Sequence, residues 1–177
     1  MLKKILIGIL ALIAIFCAYV ATLPDNYRIE RSLLIEANAA QLFEQVNDLQ
    51  NFNTWSPWAK LDPNSKAEFS TPSLGKGASL AWAGNHEVGK GKMTIIESTP
   101  NDRVRMRLDF KEPMEDTATA EFLFKAEGDA TKITWAILGK DTFLSKVICL
   151  FMDRDKMIGD MFEKGLSNLK NKVTTSS

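Results

Sequence analysis

The sequence predicts an α+β fold in which a curved antiparallel sheet of about seven strands wraps a long C-terminal helix, preceded by one N-terminal transmembrane helix. Three patterns predict it. Residues 5–23 contain no charged side chain, residues 67–138 largely alternate between apolar and polar, and residues 144–172 carry apolar side chains at helical spacing. That last helix is long enough to cover the apolar face of the sheet.

The composition excludes several classes of protein. Of the 177 residues, 45% are apolar and 25% are charged, which is a globular balance. The 22 basic and 22 acidic side chains cancel, so no overall positive field attracts nucleic acid and we expect no such partner. Cys17 and Cys149 lie far apart, with Cys17 inside the apolar run, and predict neither a disulfide framework nor a cysteine zinc site.

The first element is the uncharged run from Ile5 to Leu23. At ~1.5 Å per residue, a helix of this length nearly spans a hydrocarbon core ~30 Å thick. Lys3 and Lys4 precede the run, so the positive-inside rule keeps the N-terminus in the cytoplasm. We therefore expect a single-pass protein of the cell (inner) membrane, with its folded domain, residues 25–173, outside the cytoplasm.

A cleaved signal peptide is the alternative, because a basic start followed by an apolar run describes both. A cut after Ala21 would make the bulky Tyr19 the third residue before the cut, a position where signal peptidase needs a small side chain. A lipoprotein-type cut before Cys17 would place Phe16 where a small residue is required. The sequence favours an uncleaved anchor over residues 1–24.

The next elements are one strand and two short helices. Tyr27–Ile35 is rich in β-branched and aromatic residues and predicts a strand. Residues 36–48 carry apolar side chains at helical spacing, and Asn38 is suited to cap that helix. Residues 49–58 predict a second short helix that ends near Ser56, because the proline after it disfavours the α conformation.

About six strands follow, with turn signals between them. The clearest is Arg103–Phe110, in which apolar and charged residues alternate. Residues 117–125 and 132–138 repeat the pattern. The side chains expected to face the core are Val104, Met106, Leu108, Phe110, Ala118, Ala120, Phe122, Phe124, Ile133, Trp135 and Ile137.

The chain closes with a predicted helix over residues 144–172 and a short polar tail, residues 174–177, that we expect to be disordered. Gly159 and Gly165 within the helix suggest close approach to the strands or a bend. The apolar stripe of the helix is formed by Val147, Phe151, Ile158, Phe162, Gly165, Leu166 and Leu169.

Several segments resemble bacterial members of the START-like superfamily, also described as SRPBCC or polyketide cyclase/dehydrase proteins. These segments are Gly75–Trp82, Gly84-Asn85, Gly89–Ile95, Phe110–Met114, Thr131–Trp135 and Phe162–Lys170. The resemblance covers residues 27–172. It implies a helix-grip fold whose deep apolar cavity binds lipids, polyketides or other hydrophobic molecules. It does not imply a particular substrate, because one scaffold hosts many activities.

Candidate ligand-binding side chains are aromatic residues and methionines, which supply apolar area and adapt to irregular shapes. Core packing is an equally good interpretation for any one of them, since cores and pockets have the same composition. The candidates are Trp55, Trp58, Trp82, Met106, Phe110, Met114, Trp135, Met157 and Met161.

Two polar residues are further candidates for contacts with a ligand. Arg31 shares strand parity with Ile29 and Leu33, so it can point inward and meet an anionic group or pair with an acid. A bulge or strand end would free it from that side, and this is the favoured interpretation because bulges are common at sheet edges. His86 follows Gly84-Asn85, a turn signal, and a hairpin turn or cavity rim explains it better than catalysis.

The function expected from the sequence is a membrane-tethered, monomeric protein that binds a small hydrophobic or lipid-like ligand. A cyclase- or dehydratase-type enzyme using the same cavity and a protein-interaction module are the alternatives. The sequence contains no recognisable catalytic constellation, nucleotide-binding loop, or metal or cofactor motif. We therefore assign no catalytic residue, metal or cofactor at this stage.

Overall fold

The computed structural model describes residues 1–175. Within that range the chain forms a seven-stranded antiparallel sheet, five α-helices and one short 3-10 turn over Trp58–Lys60. The helices are α1 (Leu2–Thr22), α2 (Ala39–Asn47), α3 (Leu49–Trp55), α4 (Phe143–Cys149) and α5 (Arg154–Thr175). The strands are β1 (Asn26–Ile35), β2 (Lys66–Phe69), β3 (Ser79–Ala83), β4 (Lys90–Thr99), β5 (Arg103–Glu112), β6 (Asp116–Glu127) and β7 (Ala130–Lys140).

The predicted α+β architecture is confirmed. The strands lie in the order β1-β7-β6-β5-β4-β3-β2, so consecutive strands from β2 to β7 are hairpin neighbours and β1 closes the edge beside β7. All pairs are antiparallel. An irregularity between Ile95 and Glu97 shifts the register of β4 against β5, and such bulges bend a sheet.

One face of the sheet and one side of α2, α3 and α5 enclose the core. The alternation that predicted the inward faces of β5, β6 and β7 is confirmed, with Phe110 the least buried of that set. Asn38 caps α2 as predicted, because its side chain accepts a hydrogen bond from the Gln41 amide at 2.9 Å. α2 and α3 then present buried apolar side chains to the sheet.

Two glycines let α5 lie close to the strands, as the sequence suggested. A Cβ atom at Gly165 would meet the ring of Trp135, and one at Gly159 would meet the guanidinium of Arg31. α5 therefore packs over β1 and β7 with no side chain of its own at these two points.

The prediction of a single C-terminal helix over residues 144–172 is wrong in one respect. The structure has two helices there, since α4 ends at Cys149 and α5 begins at Arg154. The Asp153 side chain caps the start of α5 by accepting a hydrogen bond from the Lys156 amide at 2.9 Å. Phe151 falls in the break and is 80% exposed, so it does not belong to the buried stripe.

The C-terminal tail also differs from its prediction. α5 continues through Thr174 and Thr175, whose hydroxyls donate to carbonyls of the preceding turn, so these residues are helical. The remainder of the predicted tail, residues 176–177, lies outside the described residues.

The N-terminal helix α1 is long and apolar enough to cross a membrane, a property it shares with signal sequences. Most of its side chains are exposed, but Val20 near its C-terminal end is buried and α1 contacts α4. The Lys146 side chain of α4 is 6% exposed, and its Nζ donates to the Leu23 carbonyl at 2.6 Å and to the Asp25 carboxylate. α4 is therefore fastened to the segment that joins α1 to the sheet.

Candidate functional site

A cavity of about 490 Å³ lies between the sheet and α5. Its floor is formed by inward-facing side chains of β3 to β7, and Ile158 and Phe162 of α5 cover it. Phe52 and Trp58 form one side, and the loops next to Pro63, Val88 and Pro113 form one end. This volume lies within the usual range for small-molecule sites, ~300–1,000 Å³.

Five of the predicted candidates line this cavity. They are Trp58, Trp82, Met106, Phe110 and Trp135. Their positions follow from strand parity, because Met106, Phe110 and Trp135 occupy the inward face of β5 and β7. Their proposed contact with a ligand stays a prediction.

Trp135 is the centre of an aromatic cluster at the cavity wall. Its ring stacks on Phe162 with a centroid distance of 4.4 Å and an interplanar angle of 15°. The ring of Trp58 meets it edge-on with a centroid distance of 5.5 Å, and the ring of Phe122 lies at a centroid distance of 4.8 Å. Such contacts add roughly 0.5–1.5 kcal/mol per pair beyond burial, so they stabilise the arrangement of these side chains in the wall.

The indole nitrogen of Trp135 is a buried donor without a partner. Trp135 is 3% exposed, yet no group in residues 1–175 accepts a hydrogen bond from its Nε1. By contrast, Nε1 of Trp55 donates to the Gln45 carbonyl at 3.0 Å, and Nε1 of Trp82 donates to the Val88 carbonyl at 3.3 Å. An unsatisfied buried donor costs roughly 1–3 kcal/mol, and this Nε1 atom is enclosed by neighbouring side chains and is not exposed to the cavity.

Trp82 is held in the cavity wall by its strand neighbours. It lies directly across from Gly91 on β4, and a Cβ at Gly91 would collide with the indole ring. Phe110 packs edge-on against it with ring centroids 5.9 Å apart. The glycine therefore makes room for the tryptophan to lie flat over β4.

Asp62 is a buried acid at the cavity edge and is 7% exposed. Its carboxylate accepts hydrogen bonds from the backbone amides of Asn64 at 2.9 Å and Asn85 at 2.7 Å. It thereby fastens the loop before β2 to the β3–β4 turn. Both oxygens are engaged with the backbone, which indicates a structural role at the cavity entrance.

The other apolar candidates lie away from the cavity lining. Trp55 is buried in the core, in edge-on contact with Phe52 at 4.9 Å. Met114, in the β5–β6 turn, and Met157 of α5 are exposed, and Met161 is half-buried on α5. The turn and the rotation of α5 about its axis decide these positions, and neither follows from residue type.

Arg31 points towards α5, the side that strand parity indicates, and the favoured bulge or strand end is wrong because β1 pairs with β7 without a register shift. It meets acids there and does not line the cavity. Its guanidinium forms ion pairs with Asp155 at 2.8 Å and with Glu163 at 3.1 Å. Of the two kinds of partner that the sequence left open, an anionic ligand group or an acidic side chain, the structure shows the acidic side chain. The hydrogen bond from Arg31 holds the pKa of Asp155 below its ordinary value. His86 lies exposed in the β3–β4 turn, as its turn signal predicted, and outside the cavity lining.

Sequence reasoning did not single out several lining residues. Ile158 and Phe162 were recognised as part of the helix stripe but not as a cavity wall, because a buried stripe looks the same in either case. Asp62 and the Glu87–Gly89 turn carried no signal beyond turn composition. In the described part of the chain, no group of three His, Cys, Asp or Glu side chains is arranged to hold a metal ion.

Solved structures with the same fold are numerous, whereas neither a protein-family model nor a curated protein sequence matches the chain. Protein MLL2253 from Mesorhizobium loti superposes with a TM-score of 0.63 at 9% identity, over 85% of this chain and 99% of its own. Ara h 8.0201 superposes with a TM-score of 0.60 at 12% sequence identity, and the match covers 85% of this chain and 99% of Ara h 8.0201. DynU16, a protein of the dynemicin biosynthetic locus, superposes with a TM-score of 0.57 at 13% sequence identity, and the match covers 85% of this chain and 48% of DynU16.

These likenesses show the fold alone, since the identities are low. The class that the architecture defines is the helix-grip fold, with a curved antiparallel sheet closed by a C-terminal helix. The fold implied by the START-like resemblance is thus confirmed.

Proposed function

We propose that the chain is a START-like, membrane-tethered protein that binds a small hydrophobic or lipid-like molecule in the cavity between the sheet and α5. The observation that carries the proposal is a cavity of about 490 Å³ whose walls are mainly aromatic and aliphatic. Burial of apolar ligand surface contributes roughly 25 cal/mol per Å², so such walls favour a ligand with a long or bulky hydrocarbon part.

The ligand carries an oxygen-bearing polar end in this proposal. Polar side chains in the cavity lining, among them Ser65, Lys66 and Glu87, support this, because they offer partners for such a group. A fatty acyl chain or a polyketide ring system has both the apolar body and the oxygen.

Binding is favoured over the enzymatic alternative on the chemistry of the lining. General acid–base catalysis needs at least two polar groups that converge on the substrate. Asp62 is the buried acid of the lining, and its oxygens are occupied by the amides of Asn64 and Asn85. The lining therefore offers mainly shape and apolar surface.

The tether is α1, which would stay in the cell membrane as an uncleaved anchor with its N-terminus in the cytoplasm. Lys3 and Lys4 before the apolar run support this orientation. The burial of Val20 and the packing of α1 against α4 support retention, because a cut after Ala21 would remove these contacts.

Extraction of the purified full chain tests the binding proposal. The protein is isolated in detergent, extracted with organic solvent, and the extract is analysed by mass spectrometry against a matched variant. Ala120→Leu fills the cavity from β6, whereas Thr119→Leu adds the same side chain on the opposite face of that strand. We expect a hydrophobic, oxygen-containing species from the wild type and Thr119→Leu, and little from Ala120→Leu. Equal amounts from all three would contradict the proposal.

A further inference from the structure

The sheet register gathers several chain segments at one end of the domain. Asn26 at the start of β1 pairs with Lys140 at the end of β7, so α1 enters the domain at that end. The β5–β6 and β3–β4 turns lie at the same end, since Phe110 pairs with Asp116 and Ala83 pairs with Lys90. The β6–β7 turn at Gly128 lies at the opposite end.

Exposed apolar side chains concentrate at the end where α1 enters. They occupy α4 and the connection to α5, a surface that we call the apolar rim. Its members are Phe143, Leu144, Ile148, Leu150, Phe151 and Met152. A groove of about 730 Å³ lies between the connection and the start of β1, next to Tyr27. Met114, in the β5–β6 turn at the same end, is also exposed. Contiguous exposed apolar surface of this kind marks an interaction site.

The apolar rim is fixed next to the end of α1. Val20 is buried, α1 contacts α4, and Lys146 of α4 donates to the Leu23 carbonyl. The rim therefore begins where the membrane span ends. Charges of both signs border the groove, among them Arg28, Asp153 and Arg154, so attraction to anionic lipid is not the main interaction.

From this arrangement we infer that the apolar rim inserts into the interfacial layer of the bilayer that α1 spans, and that the cavity takes up its ligand directly from that bilayer. The inference rests on the proposed membrane anchor. Apolar and aromatic side chains favour the boundary between head groups and acyl chains. A protein partner is the less favoured occupant, since the rim is continuous with the span.

Part of the cavity lining lies at the same end. Glu87–Gly89 in the β3–β4 turn and Glu112-Pro113 before the β5–β6 turn line it, and both turns are at the end of the sheet where α1 enters. A hydrophobic ligand leaving the bilayer would then reach the cavity without crossing bulk water. That route avoids the cost of exposing its apolar surface to water.

Spin-label accessibility in vesicles tests the inference on the full chain. Cys17→Ser and Cys149→Ser remove the native thiols, and single labels are placed by Phe151→Cys, Leu144→Cys, Ile9→Cys and Asp129→Cys. The two rim positions and Asp129 are exposed, so labelling should not disturb the fold. Vesicles consist of phosphatidylcholine, because the inference requires no lipid charge.

Labels at 151 and 144 are expected to collide with oxygen, which partitions into the bilayer, more often than with a water-soluble nickel chelate. The label at 129, at the opposite end, should show the reverse preference. Collision of the 151 and 144 labels with the nickel chelate at the rate of the 129 label would overturn the inference. Shielding from both reagents would overturn it as well, since that indicates burial against a second copy of the chain.

Two further readings separate this inference from the proposed function. The Ile9 label reports on the anchor: if it lies in the bilayer while 151 lies in water, only the membrane contact of the rim fails. A water-exposed Ile9 label would overturn both the anchor and this inference. The extraction experiment on the same protein reports on ligand binding independently of either label.

Discussion

Phe162 of α5 stacks on Trp135 of β7, with their ring centroids 4.4 Å apart and their planes inclined by 15°. This pair joins the helix to the sheet and forms part of the cavity wall at the same time. Stability and binding are therefore coupled at this contact.

Phe162→Ala should lower the free energy of unfolding by about 3–5 kcal/mol, because it removes a fully buried aromatic side chain and leaves a space behind. Chemical denaturation of the full chain in detergent measures the change. Lys164→Ala, two residues along on the exposed side of α5, should change stability by less than about 0.5 kcal/mol. Similar losses for both variants would show that the stack does not hold α5 in place.

Gly165→Ala should destabilise the fold by about 1–3 kcal/mol, although helix propensity alone predicts a gain of up to about 1 kcal/mol. The added methyl group would press on the ring of Trp135, which the core prevents from moving. At Gly159 the same change meets the flexible guanidinium of Arg31, so Gly159→Ala should cost less. Thermal unfolding of the two variants checks the order. An equal effect at both positions would contradict the account of how α5 is seated.

The ion pair between Arg31 and Asp155 should make stability depend on acid pH. The pKa of Asp155 in the folded protein is lowered by the hydrogen bond from Arg31, below an unfolded value of about 3.9. Its contribution is therefore complete above about pH 4 and is lost as the pH falls through the lower folded pKa. The melting temperature of Asp155→Asn should lie below that of the wild type at neutral pH, and the difference should shrink in acid. A difference that stays constant with pH would show that the carboxylate's charge does not matter.

The fold follows from the sequence because its signals are periodic. Alternation along β5 to β7 fixed which side chains face inward, and Met106 and Trp135 reach the cavity for that reason. The break between α4 and α5 was missed because the apolar spacing continues through it, while the cap at Asp153 is a local signal within a charged segment. Phe151 was consequently placed in the core and is exposed.

The site was less predictable than the fold. Trp55 and Trp58 lie close together in sequence, yet one is a core residue and the other lines the cavity, because α3 ends at Trp55 and a separate 3-10 turn begins at Trp58. Met157 and Met161 depend on the rotation of α5, which is set by Gly159 and Gly165. Such tertiary constraints leave no trace in residue type.

Titration with a fluorescent fatty acid tests the central claim most directly. Dansyl-undecanoic acid is added to the full chain in detergent, and energy transfer from tryptophan to dansyl is recorded. The account predicts saturable binding at one site, close to Trp58 and Trp135, that Ala120→Leu weakens at least tenfold and Thr119→Leu leaves unchanged. Non-saturable transfer, or the same affinity in both variants, would contradict a ligand-binding cavity between the sheet and α5.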